Sequence, residues 1–491
     1  MLPRSSRHPA IKKLHRGRGI LGLLLILLSL WQILGAAQGL EITSLPSAAP
    51  PLTVIAPAKA SASRPVVLIA HGFAGSALVM RGFGLTLAHA GYTVVLWDFN
   101  GHGANPQPLS LEAEKLVSNA EAALAEAQRR GLVALEPVAI LGHSMGSGVA
   151  LAFGQTHPET AATIAVSPVR RSVTPDLPRN LLLMAGSLES PFVHNAEQLL
   201  SEAGGPGKGR KLVVIPGVEH ISVLFAPAAH AAARDWLDAI FGPQPGAKPY
   251  TDQRMLWYGL GLAGALLAAT ALAPLLPRSA PRGKPQLSLR RRLASLAGGA
   301  LGATLLLWLI NQAGLNLSNL LGLLIGGYLI IWFGAAGILN LLLFRIRPSL
   351  PSRPDALRGL LAFAALWLGL GLLGQLVWIP WLLIPHRLLL CLPGALLLLP
   401  WFLTVGEAMQ STSAAGKLGW WLGHSSILVA SLLIAMLLSP ELGFLTIILP
   451  LFPIVLGLHA LAAAPHEGSW PFALSGAAFT AWMLLVIFPL Q

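Results

Sequence analysis

The chain has 491 residues, of which 54% are hydrophobic and 11% charged, which is too long for one ordinary domain and too apolar for a soluble globular protein. Its formal net charge of +13 could suit nucleic acid, but the surplus Lys and Arg lie beside apolar segments, where they mark the cytoplasmic side of a bilayer, and no nucleic-acid partner is expected. The one cysteine, Cys391, lies inside an apolar run, so neither a disulfide framework nor a cysteine-based metal site is available.

Residues 1–18 carry Arg4, Arg7, Lys12, Lys13, Arg16 and Arg18 and read as a basic cytoplasmic tail. The apolar stretch that follows, within 19–38, is long enough to cross a bilayer and reads as a signal anchor with its N-terminus inside. A cleaved signal peptide is the alternative, since Gly35-Ala36-Ala37 offers small residues at a cleavage site, but the apolar core is longer than such a peptide needs. Either arrangement translocates what comes next. Residues 39–62, rich in Pro, Ala and Ser, read as a linker or a weak first strand.

From 63 to 245 short β-rich runs alternate with amphipathic stretches. Strands are predicted at Val66 to Ala70, Thr93 to Trp97, Val138 to Leu141, Thr163 to Val166, Asn180 to Ala185 and Lys211 to Ile215. A helix is predicted near 77–90, and a longer one starts with Ser110 as its cap and stops at Arg129-Arg130-Gly131. Such alternation implies a mostly parallel sheet with helices on both faces. Residues 255–491 read instead as a membrane domain of about eight transmembrane helices, an all-α bundle, with spans near 255–276, 293–311, 318–344, 359–384, 388–405, 418–438, 442–464 and 471–490. The loops Arg278 to Arg292, with six basic residues and no acid, and Arg345 to Arg358, with four basic residues and one acid, are expected in the cytoplasm. Counting spans from an inside N-terminus puts 63–245 outside and, after nine crossings, the C-terminus outside as well.

The chemistry-bearing motif is Gly142-His143-Ser144-Met145-Gly146, which fits G-x-S-x-G. This pattern makes sense at a tight turn from strand to helix, where the glycines allow close backbone approach and the serine oxygen projects at the carboxyl edge of a sheet. The context fits, with a β-rich run before it and a helical run from Gly148 to His157 after it.

With these residues in place, the region from about 60 to 242 resembles the α/β-hydrolase superfamily, especially its lipase, esterase and serine-peptidase-like members. The further pieces fall in the family's order: His71-Gly72-Phe73, Asp98-Phe99-Asn100-Gly101-His102-Gly103, the Ser144 turn, Gly186-Ser187-Leu188-Glu189, and Gly217-Val218-Glu219-His220. The resemblance implies a catalytic triad of Ser144, His220 and Glu189, the glutamate standing where the family usually has Asp. Asp176 is the competing acid. It also implies an oxyanion hole from the backbone N–H groups of Phe73 and Met145. His71, Asp98 and His102 are expected to hold loops in shape, and His143 to pack. Only about a dozen residues, Ser167 to Arg179, occupy the place where many relatives insert a helical lid, so the lid is minimal.

The expectation is therefore a multi-pass bacterial membrane protein, with a serine esterase or lipase-like domain on the extracytoplasmic side. It would act on a small-molecule or lipid ester and contact membrane lipids, with no cofactor and no metal. The alternatives are an acyltransferase or peptidase using the same triad, or a transporter or assembly protein whose hydrolase-like domain is a binding module. Asn311, Asn340, Gln375, Glu407, His424 and His459 are polar positions in or near spans, read as interhelical contacts or solvated ends unless they carry a function of their own.

Overall fold

The computed structural model describes residues 9–58, 64–135, 137–207, 209–277, 288–343, 348, 350–381, 383–409, 414–466 and 468–491. They divide into two compact units. One is helical and comprises residues up to 30, 259–374 and 381–488; the other holds the sheet and comprises 31–258, 375–380 and 489–491.

The sheet unit contains eight strands: β1 (Leu40–Leu45), β2 (Leu52–Pro57), β3 (Val66–Ala70), β4 (Thr93–Trp97), β5 (Val138–His143), β6 (Ala162–Val166), β7 (Leu181–Gly186) and β8 (Arg210–Ile215). Their order is β1-β2-β4-β3-β5-β6-β7-β8. β1 and β2 form an antiparallel hairpin that pairs antiparallel to β4, and the remaining neighbours are parallel. The register pairs Val67 with Val94 on one side and with Ala139 on the other. β3 to β7 are buried along their whole length, whereas the edge strands β1 and β8 are partly exposed. That contrast explains why the inner strands read as continuous apolar runs: each is covered on both faces. Every fully buried Val, Leu or Ile there contributes about 1.5–3 kcal/mol relative to exposure.

After α1 (Pro9–Gly35), the helices of this half are α2 (Arg81–His89), α3 (Ala113–Arg129), α4 (Met145–Thr156), α5 (Ser190–Glu202) and α6 (Pro227–Phe241). Two expectations need correction. Of the two readings of 39–62, the strand and not the linker is formed over most of its length, and as a pair of strands: Leu40 to Pro57 makes the β1-β2 hairpin, with Leu52, Val54 and Ile55 buried. Residues 59–62 lie outside the described residues. Helix α3 starts at Ala113 with Glu112 before it, not at Ser110. The Ser110 hydroxyl instead accepts from the Glu112 N–H at 3.4 Å, a local turn that competes with capping.

Eight described helices are long and apolar enough to cross a membrane: His15–Gly35, Arg254–Leu275, Arg290–Gln312, Gly326–Leu343, Arg353–Leu372, Pro385–Met409, Ala415–Leu438 and Ser469–Ile487. This is compatible with a multi-pass membrane protein. After residue 250 the described residues give seven such helices where eight spans were expected. The expected span at 442–464 is broken into a 3-10 turn at Pro440–Leu442 and helices Leu445–Ile448 and Leu451–Ala463. Pro450 and Pro453 interrupt the hydrogen-bond ladder, and the longest piece has 13 residues, roughly 20 Å against a hydrocarbon core of about 30 Å. The 318–344 span begins only at Gly326, after a short hairpin of Asn319–Leu320 with Leu323–Leu324. Residues 278–287 of the first basic loop, and 345–347 and 349 of the second, lie outside the described residues.

Within the helical unit most of the polar positions singled out above bridge neighbouring segments. Asn340 accepts from Ser295, the Asn311 amide donates to Glu441 at 2.8 Å, and the Ser469 hydroxyl donates to Glu407 at 2.5 Å. His459 Nε2 lies 3.1 Å from the Phe472 carbonyl and 3.0 Å from Ser475 Oγ. His424 Nδ1 turns back 2.7 Å to the Trp420 carbonyl of its own helix. Paired in this way, a buried polar group avoids the cost of an unsatisfied one in an apolar medium.

Candidate active site

The carboxyl ends of β5, β7 and β8 meet at one edge of the sheet. Ser144 follows β5 with φ 54° and ψ −120°, a conformation costing about 1–3 kcal/mol in a residue other than glycine. The glycines on either side make the turn feasible. A Cβ on Gly142 would land on the Gly146 carbonyl, and one on Gly146 would run into the carbonyls of Ala70 and His71, so strand, turn and helix approach to a distance only glycine allows. Met145 opens α4, so its N–H is among those a helix leaves without an intrahelical acceptor.

Glu189 follows β7 and precedes α5, and His220 follows β8. The structure brings these two to Ser144. The Ser144 hydroxyl lies 3.0 Å from His220 Nε2, and His220 Nδ1 lies 2.7 Å from Glu189 Oε2. All three are buried, at 7%, 6% and 5% exposure. With the carboxylate accepting from Nδ1–H, Nε2 is left as the acceptor facing Ser144, the tautomer needed to take the hydroxyl proton. Asp176, the competing acid, is exposed in the β6–β7 connection, where it faces the Arg210 charge.

The other Glu189 oxygen is also engaged: Oε1 accepts from the Gly186 N–H at 2.5 Å and from the Ser167 hydroxyl at 2.7 Å. Neither donor follows from the sequence motif. A lone serine after a strand carries no spacing signal, and the glycine donates through its backbone. Phe192 on α5 stacks on the His220 ring with centroids 4.2 Å apart. His143, expected only to pack, does more: its Nε2–H donates to the His220 carbonyl at 2.9 Å.

The loops around the site are tied by their own polar groups. His71 Nδ1–H donates to the Gly72 carbonyl at 2.7 Å while Nε2 accepts from the Phe99 N–H at 3.1 Å. Asp98 accepts from the Ala77 and Ala104 N–H groups, both at 2.8 Å. His102 Nε2 accepts from the Ala74 N–H at 3.1 Å, next to Phe73, so the loop bearing the second expected oxyanion donor is pinned from across the site. The 99–109 loop is pinned in turn by the chain's last residues, where Leu490 N–H donates to the Gly101 carbonyl and its own carbonyl accepts from the Leu109 N–H, both at 2.9 Å. Residues 168–180 form neither helix nor strand. Among the described residues no three His, Cys, Asp or Glu side chains are grouped to hold a metal ion.

Burial lowers His71 and His230 below the ordinary imidazole value, and it lowers His143 further still, with the neighbouring His220 adding to the effect. All three are neutral in the folded protein at neutral pH. On acidification the unfolded chain takes up these protons first, so stability is fully present above the ordinary value of 6.5 and is lost as pH falls from there toward the lowered folded values. Thermal unfolding followed by tryptophan fluorescence should give a midpoint that is flat from about pH 7 to 8 and falls toward about pH 5. A His143→Gln variant, whose amide can still donate, should show a shallower fall.

Residues 61–203 match the family model described as serine aminopeptidase, S33. Two uncharacterized proteins of Mycobacterium tuberculosis, from strains CDC 1551 / Oshkosh and ATCC 25618 / H37Rv, are each 26% identical over 189 residues. The match spans 33% of this chain and 66% of theirs, just under two thirds. Among solved structures, a dienelactone hydrolase from Anabaena variabilis is similar at 20% identity and a TM-score of 0.34, over 42% of this chain and 98% of that one. A proline iminopeptidase-related protein from Thermus thermophilus is similar at 19% identity and a TM-score of 0.31, over 41% and 98%.

Proposed function

The sheet unit is an α/β-hydrolase domain, and from that premise we propose that the protein is a membrane-bound serine hydrolase that cleaves a carboxylic ester through an acyl-enzyme on Ser144. The observation that carries this reading is the unbroken hydrogen-bond chain from Ser144 through His220 to Glu189.

In this mechanism Ser144 Oγ attacks the ester carbonyl carbon while its proton passes to His220 Nε2. Glu189, accepting from Nδ1–H, stabilises the imidazolium. The carbonyl oxygen, now an anion, is received by the N–H groups of Met145 and Phe73. The intermediate collapses, the C–O bond to the alcohol breaks, and His220 returns its proton to the departing oxygen. Water, deprotonated by the same imidazole, then attacks the acyl carbon and releases the acid and Ser144.

Among the described residues no charged side chain other than Glu189 is hydrogen-bonded to Ser144 or His220, and Phe192 stacks on the His220 ring, which suits an uncharged ester better than the ammonium of a free amino terminus. The short β6–β7 connection leaves no separate cap, and together with the apolar helices this favours a lipid-like or acylated substrate met at a membrane. The domain would then lie outside the cytoplasm, as the basic N-terminal tail argues, and a reporter fused near residue 250 that reads cytoplasmic would overturn that location. The name of the matching family model supports a second reading, in which the acyl group comes from a peptide amide and an amine departs.

A panel separates the two. Purified protein is given p-nitrophenyl esters of increasing acyl length beside aminoacyl p-nitroanilides. Turnover of esters with a preference among acyl lengths is expected, whereas turnover confined to the anilides would replace the esterase reading with the peptidase one.

A further inference from the structure

We propose that Ser167 is a positioning residue for Glu189, a fourth member of the hydrogen-bonded chain, fixing which carboxylate oxygen faces His220. The proposal rests on the catalytic reading above. Ser167 is the first residue after β6, fully buried, and held at φ 48°, a left-handed conformation that a side chain other than that of Gly, Asn or Asp rarely adopts. The backbone there is fixed from two sides, since the Ser167 N–H donates to the Met184 carbonyl at 2.7 Å and the preceding Val166 carbonyl accepts from the Ser144 N–H at 2.9 Å. Glycine would occupy this position without strain. What serine adds is a hydroxyl 2.7 Å from Glu189 Oε1.

The carboxylate gains from that hydroxyl in a specific way. A glutamate side chain has one more rotatable bond than an aspartate, so its carboxylate has more positions and orientations to adopt unless hydrogen bonds hold it in one. The Gly186 N–H and the Ser167 O–H converge on Oε1, leaving Oε2 alone for His220 Nδ1–H. The same donors stabilise the negative charge that must persist when the imidazole becomes a cation during proton transfer from Ser144. Ser167 touches no reacting atom and acts only through Glu189.

The test uses the full-length protein with p-nitrophenyl butyrate and a fluorophosphonate probe. Ser167→Ala removes the hydroxyl and keeps the strained backbone, whereas Ser167→Gly removes the hydroxyl and relieves the strain. Both variants should lose about 10- to 100-fold in kcat with KM unchanged, the loss expected of one hydrogen bond to a charged group. Ser167→Gly should unfold at a temperature no lower than Ser167→Ala, because glycine relieves the left-handed backbone that alanine keeps, while the two lose kcat alike. In a Glu189→Gln background Ser167→Gly should cost less than about twofold more, because the residue it acts through is already disabled.

Wild-type kcat in both variants, a change in KM alone, or an undiminished loss in the Glu189→Gln background would each overturn the proposal. A wild-type protein that neither turns over the ester nor takes up the probe would instead overturn the catalytic reading itself, and this proposal with it.

Discussion

Replacing Ser144 with alanine is expected to lower turnover of an activated ester by about 10⁴-fold or more while leaving the fold intact. The reasoning starts from the turn. Ser144 already carries an unfavourable backbone conformation, at φ 54°, that α4 and the flanking glycines impose, and alanine has the same backbone demands, so the cost of the turn is unchanged. Only the oxygen that bonds the acyl carbon disappears, together with its contact to His220 Nε2. Any rate that remains would come from the oxyanion donors and from holding the substrate in place. Far-ultraviolet circular dichroism matching wild type, with no ester turnover, is the pattern that assigns the loss to chemistry. An Ser144→Ala protein retaining wild-type turnover would show that the reacting group is elsewhere.

Glu189→Gln is expected to cost about 10³- to 10⁴-fold in kcat with little change in KM. Three donors converge on this carboxylate: His220 Nδ1–H, the Ser167 hydroxyl and the Gly186 N–H. A glutamine side chain offers one oxygen and one NH₂ group, so it can satisfy only one side of that arrangement. If its oxygen faces His220, its NH₂ group meets the Gly186 N–H, donor against donor, inside a buried site. If it turns over, the NH₂ group meets Nδ1, which must then become an acceptor and place the imidazole proton on Nε2, where it can no longer take the Ser144 proton. Both arrangements lose rate, and the second inverts the tautomer outright. Steady-state kinetics on the purified variant decide the point. A similar loss in Asp176→Asn with Glu189→Gln near wild type would reassign the acid, against the exposed position of Asp176 in the structure.

The sheet was largely legible because its inner strands are covered on both faces and so read as short, unbroken apolar runs such as Val66 to Ala70 and Thr93 to Trp97. The β1-β2 hairpin was less so. Its pairing to β4 joins Val54 with Val95 across some forty residues of sequence, and nothing local in a Pro- and Ala-rich segment announces a distant partner. The order of pieces around the sheet pointed to Ser144, Glu189 and His220, since the ends of β5, β7 and β8 are brought to one edge by topology alone. Ser167 and the role of His143 were not legible, because a hydroxyl or an imidazole that serves another side chain or carbonyl leaves no spacing in the sequence. The helical unit shows the converse problem. Hydropathy across 442–464 is continuous, but Pro450 and Pro453 divide its backbone, so composition alone overstated the number of long helices.

The most direct measurement of the central claim is the site of covalent modification. Membranes containing the full-length protein are treated with a fluorophosphonate, digested and examined by mass spectrometry. Attack by Ser144 on phosphorus, with loss of fluoride, should leave the adduct on the peptide containing Gly142-His143-Ser144-Met145-Gly146 and nowhere else, and His220→Ala should slow its formation sharply. Wild-type protein that forms no adduct, or that forms it on another residue, would contradict the account.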